Sequence, residues 1–136
     1  MEGTTMTALW ITPLYAATAA LVFVALSVRV VRFRRVSRVS VGDAGDEELA
    51  RRVRAHGNFA EYVPMALILM LLLETGGAAN WLIHAMSATL LVGRLAHAWA
   101  MTARSGAGRI AGMALTFAVL IVGAVRCLWL AIGATG

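Results

Sequence analysis

Arg51, Arg54, Asn58 and Glu61 recur at intervals of three, four and three residues. On an α-helix that spacing gathers them on one stripe, with Tyr62 beside Glu61. Guanidinium forks bind carboxylates in two-pronged fashion, an amide both donates and accepts, and a carboxylate holds an ammonium. Together these groups suit a zwitterionic ligand carrying carboxylates. Arg94 and His97, a turn apart further along the chain, are polar residues inside an otherwise apolar stretch. His56, His84 and His97 have no metal-ligand spacing, and no metal site is expected.

The elements that carry these residues are set by composition. Of the 136 residues 60% are hydrophobic and 14% charged, and the mean hydropathy is +0.79. One core in water cannot hide so much apolar surface, so lipid must cover the rest. The spacing of the polar breaks predicts an all-α integral membrane four-helix bundle forming one domain, 1–136. Its spans are expected at about 9–31, 50–74, 81–103 and 110–132. The N-terminal stretch Met1 to Thr7 carries Glu2 and no basic residue, which does not read as a cleaved signal.

Several local features accompany these spans. Thr12 and Pro13 offer an N-cap and an N1 proline for the first helix. Asp46, before Glu47 and Glu48, caps the second. Pro64 removes a backbone hydrogen bond inside that helix and predicts a kink near Glu61. Gly76 and Gly77 mark a tight turn, His84 reads as interfacial, and Glu74 is expected to pair with Arg126 near one membrane face. Cys127 reads as a small packed residue, and the glycines from Gly108 to Gly112 as a place of close helix approach.

All twelve basic residues are arginine, and against seven acids they give a formal charge of +5. Arg29, Arg32, Arg34, Arg35 and Arg38 end the first span, and Arg104 and Arg109 flank the loop between the third and fourth. Clusters that flank spans act as orientation signals, so both loops are expected on the cytoplasmic side and both termini outside. Trp10, Trp81 and Trp129 then fall near the outer interface. With the charges so placed, nucleic acid is not an expected partner.

Depth brings the polar residues together. Glu61 lies about 10 Å along its helix from Arg54, while His97 and Arg94 lie about 10 and 15 Å from the cytoplasmic end of the third span near Arg104. Glu61 is therefore expected to meet Arg94 or His97. Two readings stand: a neutralising pair that fixes helix packing, or part of a ligand site to which Arg51, Arg54 and Asn58 add donors.

The segment Arg54-Ala55-His56-Gly57-Asn58-Phe59-Ala60-Glu61-Tyr62-Val63-Pro64 resembles the MAPEG family, membrane-associated proteins in eicosanoid and glutathione metabolism. The family pattern is an Arg, an Asn four residues on, then Glu, an adjacent Tyr and a Pro, early in the second of four spans. The surrounding sequence is similar to the bacterial branch of small inner-membrane members. The resemblance implies a multi-pass protein of the bacterial inner membrane, assembled as a homotrimer among membrane lipids, with glutathione as co-substrate on the cytoplasmic side.

By position it implies that Arg54, Asn58, Glu61 and Tyr62 contact glutathione, with Arg29 or Arg32 reaching in from a neighbouring subunit. Arg51, Arg94 and His97 complete the candidate binding set. Arg109, at the start of the fourth span, matches the arginine that stabilises the glutathione thiolate in family enzymes. Family transferases place tyrosines where this chain has His97 and Met101. The expected activity is a glutathione transferase or peroxidase acting on lipophilic electrophiles; the alternative is a non-catalytic member of the same fold that binds a lipid or another amphiphile. A small proton-coupled transporter ranks below both, because such transporters carry a glutamate in the first span and this first span has no acid.

Overall fold

The computed structural model describes residues 9–133, so Met1 to Thr7, and with them the signal-peptide reading, lie outside the described residues. Four helices follow one another: α1 (Ile11–Ser37), α2 (Glu47–Thr75), α3 (Asn80–Ala103) and α4 (Gly106–Gly133). No strand occurs among the described residues. At about 1.5 Å per residue each helix exceeds the ~30 Å hydrocarbon thickness of a bilayer.

The helix ends follow backbone chemistry rather than hydropathy. α1 continues beyond the expected end at 31 as far as Ser37. Lipid excludes charge, but arginine is a good helix former and has no reason to stop the backbone. The helix closes where Arg38 turns left-handed (φ 55°) and its N–H bonds the carbonyl of Arg34. α2 begins as expected: the Asp46 carboxylate accepts the N–H groups of Glu48 at 2.9 Å and Leu49 at 3.0 Å. α4 starts at Gly106, earlier than 110, and the Ser105 hydroxyl accepts the N–H of Gly108 at 3.1 Å.

The N-terminus of α1 corrects two expectations. Thr12 lies inside the helix and supplies no side-chain cap. The Glu74 carboxylate caps instead, accepting the N–H groups of Trp10 (3.1 Å), Ile11 (2.8 Å) and Thr12 (2.7 Å). Glu74 therefore does not pair with Arg126, whose guanidinium lies 5.4 Å over the Trp129 ring. A buried carboxylate needs donors on both oxygens, and a helix N-terminus offers several orphan N–H groups pointing the same way. His84 joins this end: its Nδ1 lies 3.2 Å from the Tyr15 hydroxyl, and Trp10 meets its ring edge-on.

α2 and α3 each touch all the other helices, whereas α1 and α4 do not meet. Leu26, Phe59, Val63, Met70, Leu90 and Val119 fill the core between them. α1, α2 and α4 are long and apolar enough to cross a membrane. α3 is not in that set; its Ser87, Arg94 and His97 are turned into the protein. Gly112 lets α4 close on α3, since a Cβ there would stand 2.7 Å from the Gly93 carbonyl and 2.8 Å from His97 Cβ. Cys127 is half-buried, its Sγ 3.7 Å from the Leu69 carbonyl.

Candidate functional site

The centre of the site is a clamp between α2, α3 and α4. Arg94 on α3 is only 2% exposed. Its Nη1 donates to Asn58 Oδ1 at 2.6 Å, and its Nη2 donates to the Gly112 carbonyl at 3.2 Å. The guanidinium also sits 5.7 Å from the Tyr62 ring centroid, and Tyr62 meets Phe117 edge-on at 5.6 Å. No carboxylate bonds Arg94 among the described residues, so its charge is shared between the Asn58 amide, two backbone carbonyls, the Met113 sulfur and a ring face. Because Asn58 Oδ1 is occupied, its Nδ2 donors are left to face outward.

Two open clefts flank that clamp. One, of about 600 Å³, is lined by Arg34, Arg51, Arg54, Gly57, Asn58 and Glu61, among others. The other, of about 620 Å³, is lined by Arg54, Asn58, Tyr62, His97 and Arg109, with Ile110, Met113 and Phe117 along its apolar side. Arg54, Asn58 and Met101 belong to both, forming the ridge between them. A ligand laid across this ridge meets cations and a carboxylate on one side and a mixed apolar and cationic wall on the other.

The stripe expected on α2 is therefore real, but its pairings differ. Glu61 meets neither Arg94 nor His97: it is exposed on the first cleft, and no ion pair among the described residues includes it. At 100° per residue Glu61 is turned about 60° away from Asn58, and the residue aimed into α3 is the asparagine. Arg94 likewise lines neither cleft; it stands behind Asn58, which lines both. Arg51 gives Nη1 to Glu47 at 3.2 Å and Nη2 to Glu48 at 3.1 Å, which leaves Arg54 as the guanidinium of the stripe with no ion pair among the described residues. His97 is 5% exposed and still reaches the second cleft.

The arginines of α1 separate as well. Arg29 donates to the Thr102 hydroxyl of α3 at 3.0 Å, while Arg32 is exposed and has no hydrogen-bond partner among the described residues. Arg34 pins the α1–α2 loop by donating to the Gly42 carbonyl at 2.7 Å. Two wall residues, Met113 and Phe117, carried no recognisable signal, since a Met and a Phe at helical spacing read as core or lipid-facing positions. Met101, which stands with His97 where family transferases place tyrosines, lines both clefts.

Comparison with known proteins finds sequence relatives over most of the chain. The family model described as MAPEG family matches residues 12–129. The chain is 40% identical over 119 residues to "Inner membrane protein YecN" of Escherichia coli strain K12, an alignment covering 88% of this chain and 91% of that protein. The protein of the same name from Escherichia coli O6:H1 matches to the same extent. No solved structure matches.

Proposed function

The chain belongs to the MAPEG family of membrane proteins, and from that premise we propose that it binds glutathione across the Arg54–Asn58 ridge and transfers it to lipophilic electrophiles. The observation that carries this reading is the second cleft. There Arg54 and Asn58 from α2 and Arg109 from α4 face one space, beside Tyr62 and His97, with Ile110, Met113 and Phe117 along its apolar side. Glutathione has two carboxylates, an ammonium and a thiol. Arg54 takes a carboxylate in a two-pronged bond, the Asn58 amide donates alongside, Glu61 holds the ammonium, and Tyr62 adds a hydroxyl.

With the peptide so held, the thiol falls on the Arg109 side. A cation there favours the thiolate and raises the nucleophilic fraction at neutral pH. The thiolate sulfur bonds the electrophilic carbon, the leaving group departs with its electron pair, and the thiol proton goes to solvent. The electrophile arrives from lipid along Ile110, Met113 and Phe117. A homotrimer would complete the site, with Arg32 of a neighbouring subunit free to close over the ligand, as Arg29 is bonded to Thr102 within its own chain. The arginine-bearing loops support a site on the cytoplasmic side with both termini outside.

In detergent, glutathione added to the protein should give ultraviolet thiolate absorbance, a thermal shift and conjugation of an aryl halide. Arg109→Ala should keep the thermal shift and lower the thiolate signal at least about tenfold. Arg54→Ala should lose both. Absence of all three signals in the wild type refutes the reading.

One observation favours a second reading. With His97 and Met101 in the clefts, Tyr62 is the sole tyrosine lining either. Binding of an amphiphile without turnover would then survive Arg109→Ala and yield no product.

A further inference from the structure

We propose that His97 is a proton carrier for the second cleft, taking the thiol proton of glutathione and returning it to an oxygen leaving group such as that of a lipid hydroperoxide. The other two imidazoles of the chain are each engaged: His84 Nδ1 lies 3.2 Å from the Tyr15 hydroxyl, and His56 Nε2 lies 3.0 Å from that of Ser27. His97 is 5% exposed, and neither of its ring nitrogens has a hydrogen-bond partner among the described residues. A polar ring this deeply buried calls for a partner, and it lines the second cleft.

The neighbours of the ring define what it can do there. Arg54 and Arg109 only donate, and Asn58 Oδ1 is already held by Arg94 at 2.6 Å. Arg94 itself stands one turn before His97 on α3, and no carboxylate lines the cleft among the described residues. The Tyr62 hydroxyl exchanges its proton far from neutral pH, so the imidazole is the side chain that both accepts and returns one in the working range. Its placement suits that task. On α4 Arg109, Met113 and Phe117 follow at steps of four and run from cation to apolar wall over about 12 Å. Gly112 brings His97 against this row, since a Cβ there would stand 2.8 Å from His97 Cβ. The imidazole therefore stands between the cation that favours the thiolate and the wall along which the electrophile arrives.

This inference rests on the glutathione reading and adds the route of the proton. A halide leaves as a stable anion, and the thiol proton is then free to pass to solvent. An alkoxide does not leave so readily, and the proton is needed again. His97 takes it from the thiol as the thiolate forms beside Arg109. The sulfur then bonds the terminal oxygen of the hydroperoxide, the O–O bond breaks, and the alkoxide departs with its electron pair and receives the proton from His97. The products are the alcohol and the sulfenic acid of glutathione. A second glutathione condenses with the sulfenic acid to give the disulfide and water.

The test compares cumene hydroperoxide with an aryl halide as electrophile for the full chain in detergent. His97→Gln keeps a hydrogen-bonding side chain but cannot carry a proton, and it should lower kcat with the hydroperoxide at least about a hundredfold. The loss with the aryl halide should be much smaller, and the loss with the hydroperoxide should fall on kcat rather than on KM for glutathione. Equal losses with the two electrophiles, or a loss confined to KM, would make His97 a binding or packing residue and overturn the proposal. Should His97→Gln not fold, single turnover of the wild type in heavy water decides. Hydroperoxide reduction should slow there while aryl halide conjugation should not, and equal rates in light and heavy water overturn the proposal. A wild type that conjugates the aryl halide and leaves the hydroperoxide untouched overturns the role of His97 alone. A wild type without thiolate absorbance overturns the glutathione reading and this inference with it.

Discussion

Replacing Glu74 tests the cross-helix cap most directly. Its Oε1 accepts the N–H groups of Trp10 at 3.1 Å and Ile11 at 2.8 Å, and its Oε2 that of Thr12 at 2.7 Å. Ile11 and Thr12 are 0% and 4% exposed, so water does not replace a lost acceptor there. Glu74→Gln keeps one carbonyl oxygen for Trp10 and Ile11 but turns an NH₂ toward the Thr12 N–H and removes the charge facing the helix dipole. One charged hydrogen bond plus the dipole contribution is about 2 kcal/mol. Glu74→Ala strands all three donors, and the loss rises to about 4 kcal/mol. Unfolding in mixed detergent micelles, followed by tryptophan fluorescence, should rank the wild type above Glu74→Gln and Glu74→Ala last. Arg126→Gln removes only an exposed contact with Trp129 and should change stability by less than ~1 kcal/mol. The cap would be refuted by Glu74→Gln and Glu74→Ala both falling within ~0.5 kcal/mol of the wild type, or by Arg126→Gln matching Glu74→Ala.

Three further outcomes are expected. Gly112→Ala should destabilise by about 1–3 kcal/mol in the same unfolding assay, since the new methyl meets backbone atoms of Gly93 and His97 at 2.7 and 2.9 Å. Gly57→Ala, where a Cβ would meet nothing within 4 Å, should instead stabilise by roughly 0.5–1 kcal/mol through helix propensity. Asn58→Asp keeps an oxygen for Arg94 but removes the outward NH₂ donors. Stability should then hold within ~1 kcal/mol while glutathione affinity, measured by calorimetry, falls about tenfold; unchanged affinity would show that Asn58 does not face the ligand.

Much of the fold was legible because hydrophobic runs and their polar breaks report on lipid and backbone directly. The Asp46 cap, the Gly76–Gly77 turn and the close approach at Gly112 depend on neighbours in sequence or on the smallness of one residue, and each stands where expected. The α2 stripe was legible for the same reason: Arg54, Asn58 and Glu61 share a face whatever packs against it. Which of them turns toward α3 was not legible. Depth matching put Glu61 beside Arg94 because two residues at one height on adjacent helices look like partners. Rotation of α2 about its axis, set by the packing of Phe59, Val63 and Ala66, brings Asn58 there instead.

The sequence by itself determined that this protein belongs in a membrane, that four helices make up its described residues, and that a motif of arginine, asparagine, glutamate and tyrosine lies early in the second. Those conclusions rest on hydropathy and on spacing along a single helix, quantities a linear chain carries in full. Only the tertiary structure decided that Arg94 stands behind Asn58, that Arg54 and Arg109 share a cleft, and that Glu74 caps a helix start 62 residues away. Each of these depends on the relative rotation and depth of two helices. That geometry comes from the sum of many small packing contacts, and no local pattern encodes it.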